Sequence, residues 1–217
     1  MKQLLSRKGL ALLIVFGIVI ADQLVKIIIK TSMLYHEEIR IADWFYIHFL
    51  ENPGFAFGMQ FIPKTVLTLS RAFFSCLIAW YLVHLVKEEY KRGYIVCIAL
   101  ILAGAIGNVI DCLFYGALFS ESTPTQVAAL VAPGEGYADW LTGRVVDMFY
   151  FPLFEFDWPG WMPLIGGRHF LFFSPVFNVA DAAVSCGVIA MILFYRNTLS
   201  ESMESMKREC KNSRFFS

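Results

Sequence analysis

Apolar side chains run almost unbroken through four stretches of the chain, at about 9–29, 65–86, 94–119 and 175–195, and polar residues crowd into the intervals between them. Crossing a hydrocarbon layer of about 30 Å takes roughly 20 helical residues. The pattern therefore predicts four membrane-spanning helices. The first run follows Lys2, Arg7 and Lys8 as a secretion signal would. It is too long for such a signal and lacks a small-x-small cleavage site, so it is read as a retained span. Two long intervals, 30–64 and 120–174, differ from simple connections. In the first, 39-IRIADWFYIHFLENPGFAFG-58 carries β-branched and aromatic residues up to a Pro-Gly turn signal, which predicts a short sheet. The second holds Trp140, Trp158 and Trp161 with Tyr137 and Tyr150, side chains that favour the headgroup layer of a membrane. Beyond Asn197 the chain turns serine-rich and charged, and 201–217 is expected to be a mobile, solvated cytoplasmic tail.

Composition supports the membrane reading. Apolar residues make up 58% of the 217 and mean hydropathy is +0.60, against about 45–50% apolar in soluble domains. The 18 basic and 18 acidic side chains cancel, so no bulk field invites nucleic acid. Their placement is more informative. The amino end, the 87-KEEYKR-92 turn and the tail hold 11 of the 18 basic residues, whereas the two long loops hold Lys30, Arg40, Lys64, Arg144 and Arg168. Basic residues concentrate on the cytoplasmic side. Both termini are thus expected in the cytoplasm and the long loops outside. The five cysteines are scattered and suggest neither disulfides nor zinc.

A charged side chain at the centre of a membrane helix costs about 2.5–3.5 kcal/mol on insertion scales, so each one needs a reason. Asp22 and Lys26 lie four apart in the first run and are expected to pair along one helix face. In 104-GAIGNVID-111, Asn108 and Asp111 share a face, and Gly104 and Gly107 let another backbone approach. Asn178 and Asp181 repeat that spacing in the fourth run. With the first and third spans running outward and the fourth inward, all these polar groups fall in the outer half of the layer. Asp147, within 143-GRVVDMFYF-151, and Asn52, before Pro-Gly, lie close to that level. Spacing alone leaves open whether such groups hold helices together or do chemistry.

The chain has no His-Glu-x-x-His pair, no Gly-x-Ser-x-Gly elbow and no phosphate loop, so carboxylates are the chemistry that remains. Two aspartates close together in a low-dielectric site share one proton, and between them can activate a water against a peptide carbonyl.

Taken in order, Asp22-x-x-x-Lys26, Asn52-x-Gly54-x-Ala56-Phe57-Gly58, Gly107-Asn108-x-x-Asp111, Val145-Val146-Asp147 and Phe177-Asn178-x-Ala180-Asp181 resemble the lipoprotein signal peptidases, the signal peptidase II family. The resemblance implies an all-α membrane protein of four transmembrane helices with a small extracytoplasmic β-sheet and aromatic loops, forming one domain over 1–200. It implies an aspartic endopeptidase of the bacterial inner membrane that cuts prolipoproteins before the diacylglyceryl-modified cysteine. By family motif the catalytic pair is Asp147 and Asp181, with Asn52, Gly54, Asn108, Asp111, Asn178, Asp22 and Lys26 supporting or binding substrate. No cofactor and no metal are expected. The expected partners are lipid-modified prolipoprotein substrates and membrane lipid, with the enzyme a monomer. Two departures stand out. Cys112 occupies the place where the family usually has an arginine, for which Arg144 is a candidate replacement. The interval from Asp111 to Asp147 is also longer than usual, and includes an insertion at 119–140. The rival readings are a small proton-coupled transporter and a non-catalytic membrane adaptor, both of which also carry intramembrane polar residues.

Overall fold

The computed structural model describes residues 5–54, 62–164, 166–172 and 175–213. In chain order the elements are α1 (Arg7–Ser32), β1 (Glu38–Ala42), β2 (Phe45–Asn52), α2 (Lys64–Lys87) and α3 (Arg92–Ile110). A π-helical turn at Asp111–Tyr115 joins α3 to the short α4 (Gly116–Leu118). Then come β3 (Val145–Tyr150), β4 (Phe154–Asp157), β5 (His169–Phe172), β6 (Val176–Phe177), α5 (Val179–Phe194) and α6 (Arg196–Ser213). Among the described residues, α1, α2 and the helical run Arg92–Leu118 are long and apolar enough to cross a membrane. Side chains such as Leu13, Phe16 and Ile20 on α1, and Phe73, Phe74 and Trp80 on α2, point outward, as lipid-facing residues do. In the most apolar window of α1 11% of residues are buried, against 61% in the α3 run.

The fourth apolar run is not one helix from 175. Val176 and Phe177 pair as a strand, α5 begins only at Val179, and a 92° bend separates it from α6. Val and Phe suit a strand, and Asn178 is a residue type favoured at the start of a helix. α5 has 16 residues, so it counts as a candidate span only together with α6. The tail also departs from expectation. Its Glu, Lys and Met residues are good helix formers, and over Arg196–Ser213 they form α6 instead of a mobile end. Thr198 and Ser202 are buried there, and the Ser202 hydroxyl lies 2.5 Å from that of Tyr81.

The chain forms two compact units. The first comprises Met1–Asp22, Leu69–Val109 and Val179–Ser217. Its core gathers Ala11, Leu82, Leu85, Tyr94, Ile98 and Leu102. Within it α3 and α5 approach closely through glycine: a Cβ on Gly104 would stand 2.2 Å from the Ala180 carbonyl oxygen, and one on Gly187 2.7 Å from the Cys97 carbonyl oxygen. Small residues in this role are how membrane helices gain contact when no hydrophobic driving force acts between them.

The second unit, Gln23–Thr68 with Ile110–Asn178, holds the sheet. The sheet expected in the first loop is present as β1 and β2, and the second loop extends it to the antiparallel order β1-β2-β3-β6, while β4 pairs with β5 separately. Register sets Leu50 opposite Asp147 and Asn52 opposite Val145. Asn52 and Asp147 are therefore diagonal neighbours on one face. Val146 and Met148 face the other way, into a core with Phe49, Met33, Tyr115 and Phe119. The motif residues Ala56, Phe57 and Gly58 lie outside the described residues.

Glycine substitutions separate packing from propensity. A Cβ added at Gly17 on α1 would meet nothing within 4 Å, so Gly17→Ala should raise stability by about 0.5–1 kcal/mol. Gly104→Ala should lower it by about 1–3 kcal/mol through overpacking against α5. Thermal unfolding of the detergent-solubilised variants checks both, and equal melting temperatures would contradict the close α3–α5 approach.

Candidate functional site

In the first unit the fully buried Asp22 and the half-buried Asp181 are both engaged at the start of α5. The Oδ1 of Asp22 accepts the Ala180 N–H at 2.9 Å. That amide belongs to the first turn of α5, whose N–H groups have no partner within the helix. Gly107 makes room for this contact, since a Cβ there would come within 2.6 Å of Asp22 Oδ2. One turn along from Asn178, Asp181 sits where the helix dipole favours a carboxylate. Asn108 Nδ2 donates to its Oδ1 at 2.8 Å. The Asn108 amide of α3 thus holds the Asp181 carboxyl of α5.

In the second unit Lys26 and Asp111 form an ion pair of 2.8 Å with both side chains at 0% exposure. Gln23 Nε2 donates to Asp111 Oδ1 at 2.9 Å and the Val146 N–H donates to Oδ2 at 3.3 Å. Tyr115, from the π-helical turn, donates its hydroxyl to Gln23 Oε1 at 3.1 Å. Asp147 is 2% exposed, and Asn178 Nδ2 donates to its Oδ1 at 2.6 Å. Asn52 is exposed at the end of β2, where its Oδ1 accepts the Gly54 N–H at 2.7 Å. Gly54 has φ of +86°, a conformation that favours glycine.

The expected residues are thus distributed over specific contacts. Lys26 pairs with Asp111 and Asp22 bonds to the α5 backbone, so each has a partner beyond the i,i+4 contact read from spacing. Arg144, the candidate replacement for the family's arginine, bonds Glu51 and Glu121 through its guanidinium. Sequence reasoning missed Gln23 and Tyr115. Gln23 was visible as an uncharged polar residue inside an apolar run, beside Asp22. Tyr115 carried no signal, because an aromatic there is indistinguishable from core. Among the described residues no three His, Cys, Asp or Glu side chains are grouped as a metal site requires.

Breaking a buried ion pair by removing one partner costs about 3–5 kcal/mol, because the other charge stays buried. Asp111→Asn should therefore lower the stability of the solubilised protein by about that amount, and Lys26→Met/Asp111→Leu should recover part of it. A double variant no more stable than Asp111→Asn would argue against the pair as the source of the loss.

The family model described as "Signal peptidase (SPase) II" matches residues 14–196. The lipoprotein signal peptidase of Porphyromonas gingivalis (strain ATCC 33277) is 45% identical over 201 residues, covering 92% of this chain and 88% of that one. The lipoprotein signal peptidase of Amoebophilus asiaticus is 32% identical over 203 residues, covering 90% and 80%. A bacterial membrane enzyme solved by the in meso method at 1.9 Å has a TM-score of 0.56 and 26% identity, covering 87% of this chain and 94% of that one. With most of its length matched by the family model and by a relative at 45% identity, the chain belongs to the signal peptidase II family.

Proposed function

We propose that the protein is the aspartic endopeptidase that removes the signal peptide from diacylglyceryl-modified bacterial prolipoproteins, cutting on the amino side of the lipidated cysteine, with Asp147 and Asp181 as its catalytic pair. One observation carries the assignment of residues. In a member of this family, the two aspartates at the motif positions are each held through Oδ1 by the amide of a motif asparagine, Asn178 for Asp147 and Asn108 for Asp181.

The chemistry needs two carboxyls that differ in protonation. The ionised member takes a proton from water as the oxygen attacks the scissile carbonyl, and the protonated member gives its proton to the developing oxyanion. When the tetrahedral intermediate collapses, the C–N bond breaks and the acid formed in the first step protonates the departing amine. An asparagine amide suits the supporting position because it donates a hydrogen bond without carrying a titratable proton of its own. Asn52 and Gly54, at the exposed end of β2, contact the substrate peptide in this reading. Asp22, Lys26 and Asp111 act by fixing the elements that bear the dyad.

The protein would lie in the bacterial inner membrane as a monomer with four spans, the last provided by α5 with α6. Both termini would be cytoplasmic and the site near the outer face, where the substrate's acyl chains stay in lipid while its cleavage site meets the dyad. The distribution of basic residues supports this orientation. Family membership does not favour the transporter or the adaptor reading.

Asp147→Asn and Asp181→Asn should each insert and fold yet lose cleavage by a factor of about 10²–10⁴, the usual worth of a general acid or base. A gel-shift assay of the purified protein on a diacylglyceryl prolipoprotein and on its unlipidated form tests this. Cleavage of the lipidated form alone, lost in both variants, is expected. Undiminished cleavage by either variant would remove that residue from the pair.

A further inference from the structure

The insertion at 119–140 lies against an ionic cluster, buried at its Lys30–Glu51 end, that the dyad chemistry does not use. Lys30, at the end of α1, and Glu51, on β2, form an ion pair with side chains 0% and 1% exposed. Ser122, from the insertion, is buried with them: it accepts from Lys30 Nζ at 3.0 Å and donates to Glu51 Oε1 at 2.8 Å. Arg144, 34% exposed, closes the cluster at its solvent edge, with the same Nη1 atom 3.1 Å from Glu51 Oε2 and 2.6 Å from Oε1 of the exposed Glu121. Two cations thus meet two anions, and one of those anions, Glu121, belongs to the insertion.

Tyr137, also from the insertion, ties backbone to cluster. Its hydroxyl accepts the Arg144 N–H at 2.7 Å, and its ring centroid lies 4.9 Å from Lys30 Nζ and 5.0 Å from Arg144 Cζ. Such cation–aromatic contacts gain strength when they are desolvated. Burial pushes the Tyr137 phenol above its ordinary value, so the hydroxyl remains protonated. The insertion is fastened at its own ends too, with Phe119 bridged to Leu130 and the Tyr137 N–H donating to the Phe119 carbonyl at 2.9 Å.

Position in the chain gives the cluster its consequence. Arg144 is the residue before β3, Asp147 is the third residue of that strand, and Glu51 is the register partner of Val146. We infer that Glu121, Ser122 and Tyr137 form a clamp on Arg144 that sets the position of β3, and that Arg144 is a positioning residue for Asp147. This rests on Asp147 being one of the catalytic pair. A strand free to shift by about 1 Å would carry its carboxylate out of reacting geometry, and a misplacement of that size can cost about 10²-fold in rate. Substrate binding does not depend on the clamp in this account, so kcat and KM separate.

Arg144→Gln and Tyr137→Phe test the inference in detergent with the lipidated substrate, with Asp147→Asn run beside them. Arg144→Gln should lower kcat by about 10–100-fold with KM within about twofold, and Tyr137→Phe should do the same to a smaller degree. Because one nitrogen serves both carboxylates, Arg144→Lys should retain most of kcat. An Arg144→Gln enzyme with unchanged kcat per folded molecule and only a lower melting temperature would make the cluster merely structural and overturn the inference. A raised KM with unchanged kcat would overturn it as well, by assigning the insertion to substrate contact. If Asp147→Asn itself cleaves normally, the dyad assignment fails first, whereas an inactive Asp147→Asn beside a normal Arg144→Gln defeats the clamp alone.

Discussion

Lys26 and Asp111 are buried to the last percent in a chain that is mostly hydrocarbon, and the pair constrains everything around it. Two charges taken out of water are repaid only when geometry is good and the remaining donors and acceptors are bonded. Here Gln23 and the Val146 amide supply those bonds to the carboxylate. One carboxylate therefore engages α1 through two side chains and β3 through its backbone. The Val146 amide immediately precedes Asp147, so the strand bearing that aspartate is fixed by a contact that cannot slip without exposing a buried charge. Asp111 also begins the π-helical turn, where an additional residue per turn redirects the side chains that follow. Tyr115, at the end of that turn, reaches back to Gln23 and closes the arrangement.

The amides answer a different requirement. A cation beside a carboxylate favours its charged form strongly, whereas a neutral donor favours it less. If Asp147 and Asp181 are the proposed catalytic pair, which holds one shared proton, asparagine serves them better than lysine would. The chain uses each where it fits: lysine on Asp111, asparagine on Asp147 and on Asp181. Asp22 serves a third need, satisfying a backbone amide in the first turn of the helix that carries Asp181.

Hydropathy made the first three helices legible almost to their ends, because a run of apolar residues longer than 20 has few other uses. It failed at 175–178, where strand pairing with β3 competes with helix and hydropathy cannot distinguish them. It failed again after Asn197, where low hydropathy hid a helix whose Thr198 and Ser202 are buried. For the site, the motif residues were legible but their partners were not. Spacing of four suggested Asp22 with Lys26, yet the contacts to the Ala180 amide and to Asp111 join residues far apart in sequence, which local periodicity does not encode. The sheet's share was half visible: strand propensity located β1 and β2, while the β2–β3 register that puts Asn52 near Asp147 came from pairing across a long loop.

The two departures from the family pattern fall on one stretch of backbone. Cys112 is buried, and its carbonyl, not its side chain, accepts the Gly143 N–H at 3.0 Å. Gly143 must be small, since a Cβ there would stand 2.1 Å from the Asp111 carbonyl oxygen. The chain thus enters β3 pressed against the π-helical turn, with Arg144 next in sequence. Arg144 brings a positive charge to this entry from the strand side, and an arginine there needs acid partners. Glu51 is already committed to Lys30, so a second carboxylate is required to balance the cluster, and Glu121 of the insertion supplies it. Where the chain enters β3, the segment 119–140 thus supplies the anion that balances Arg144.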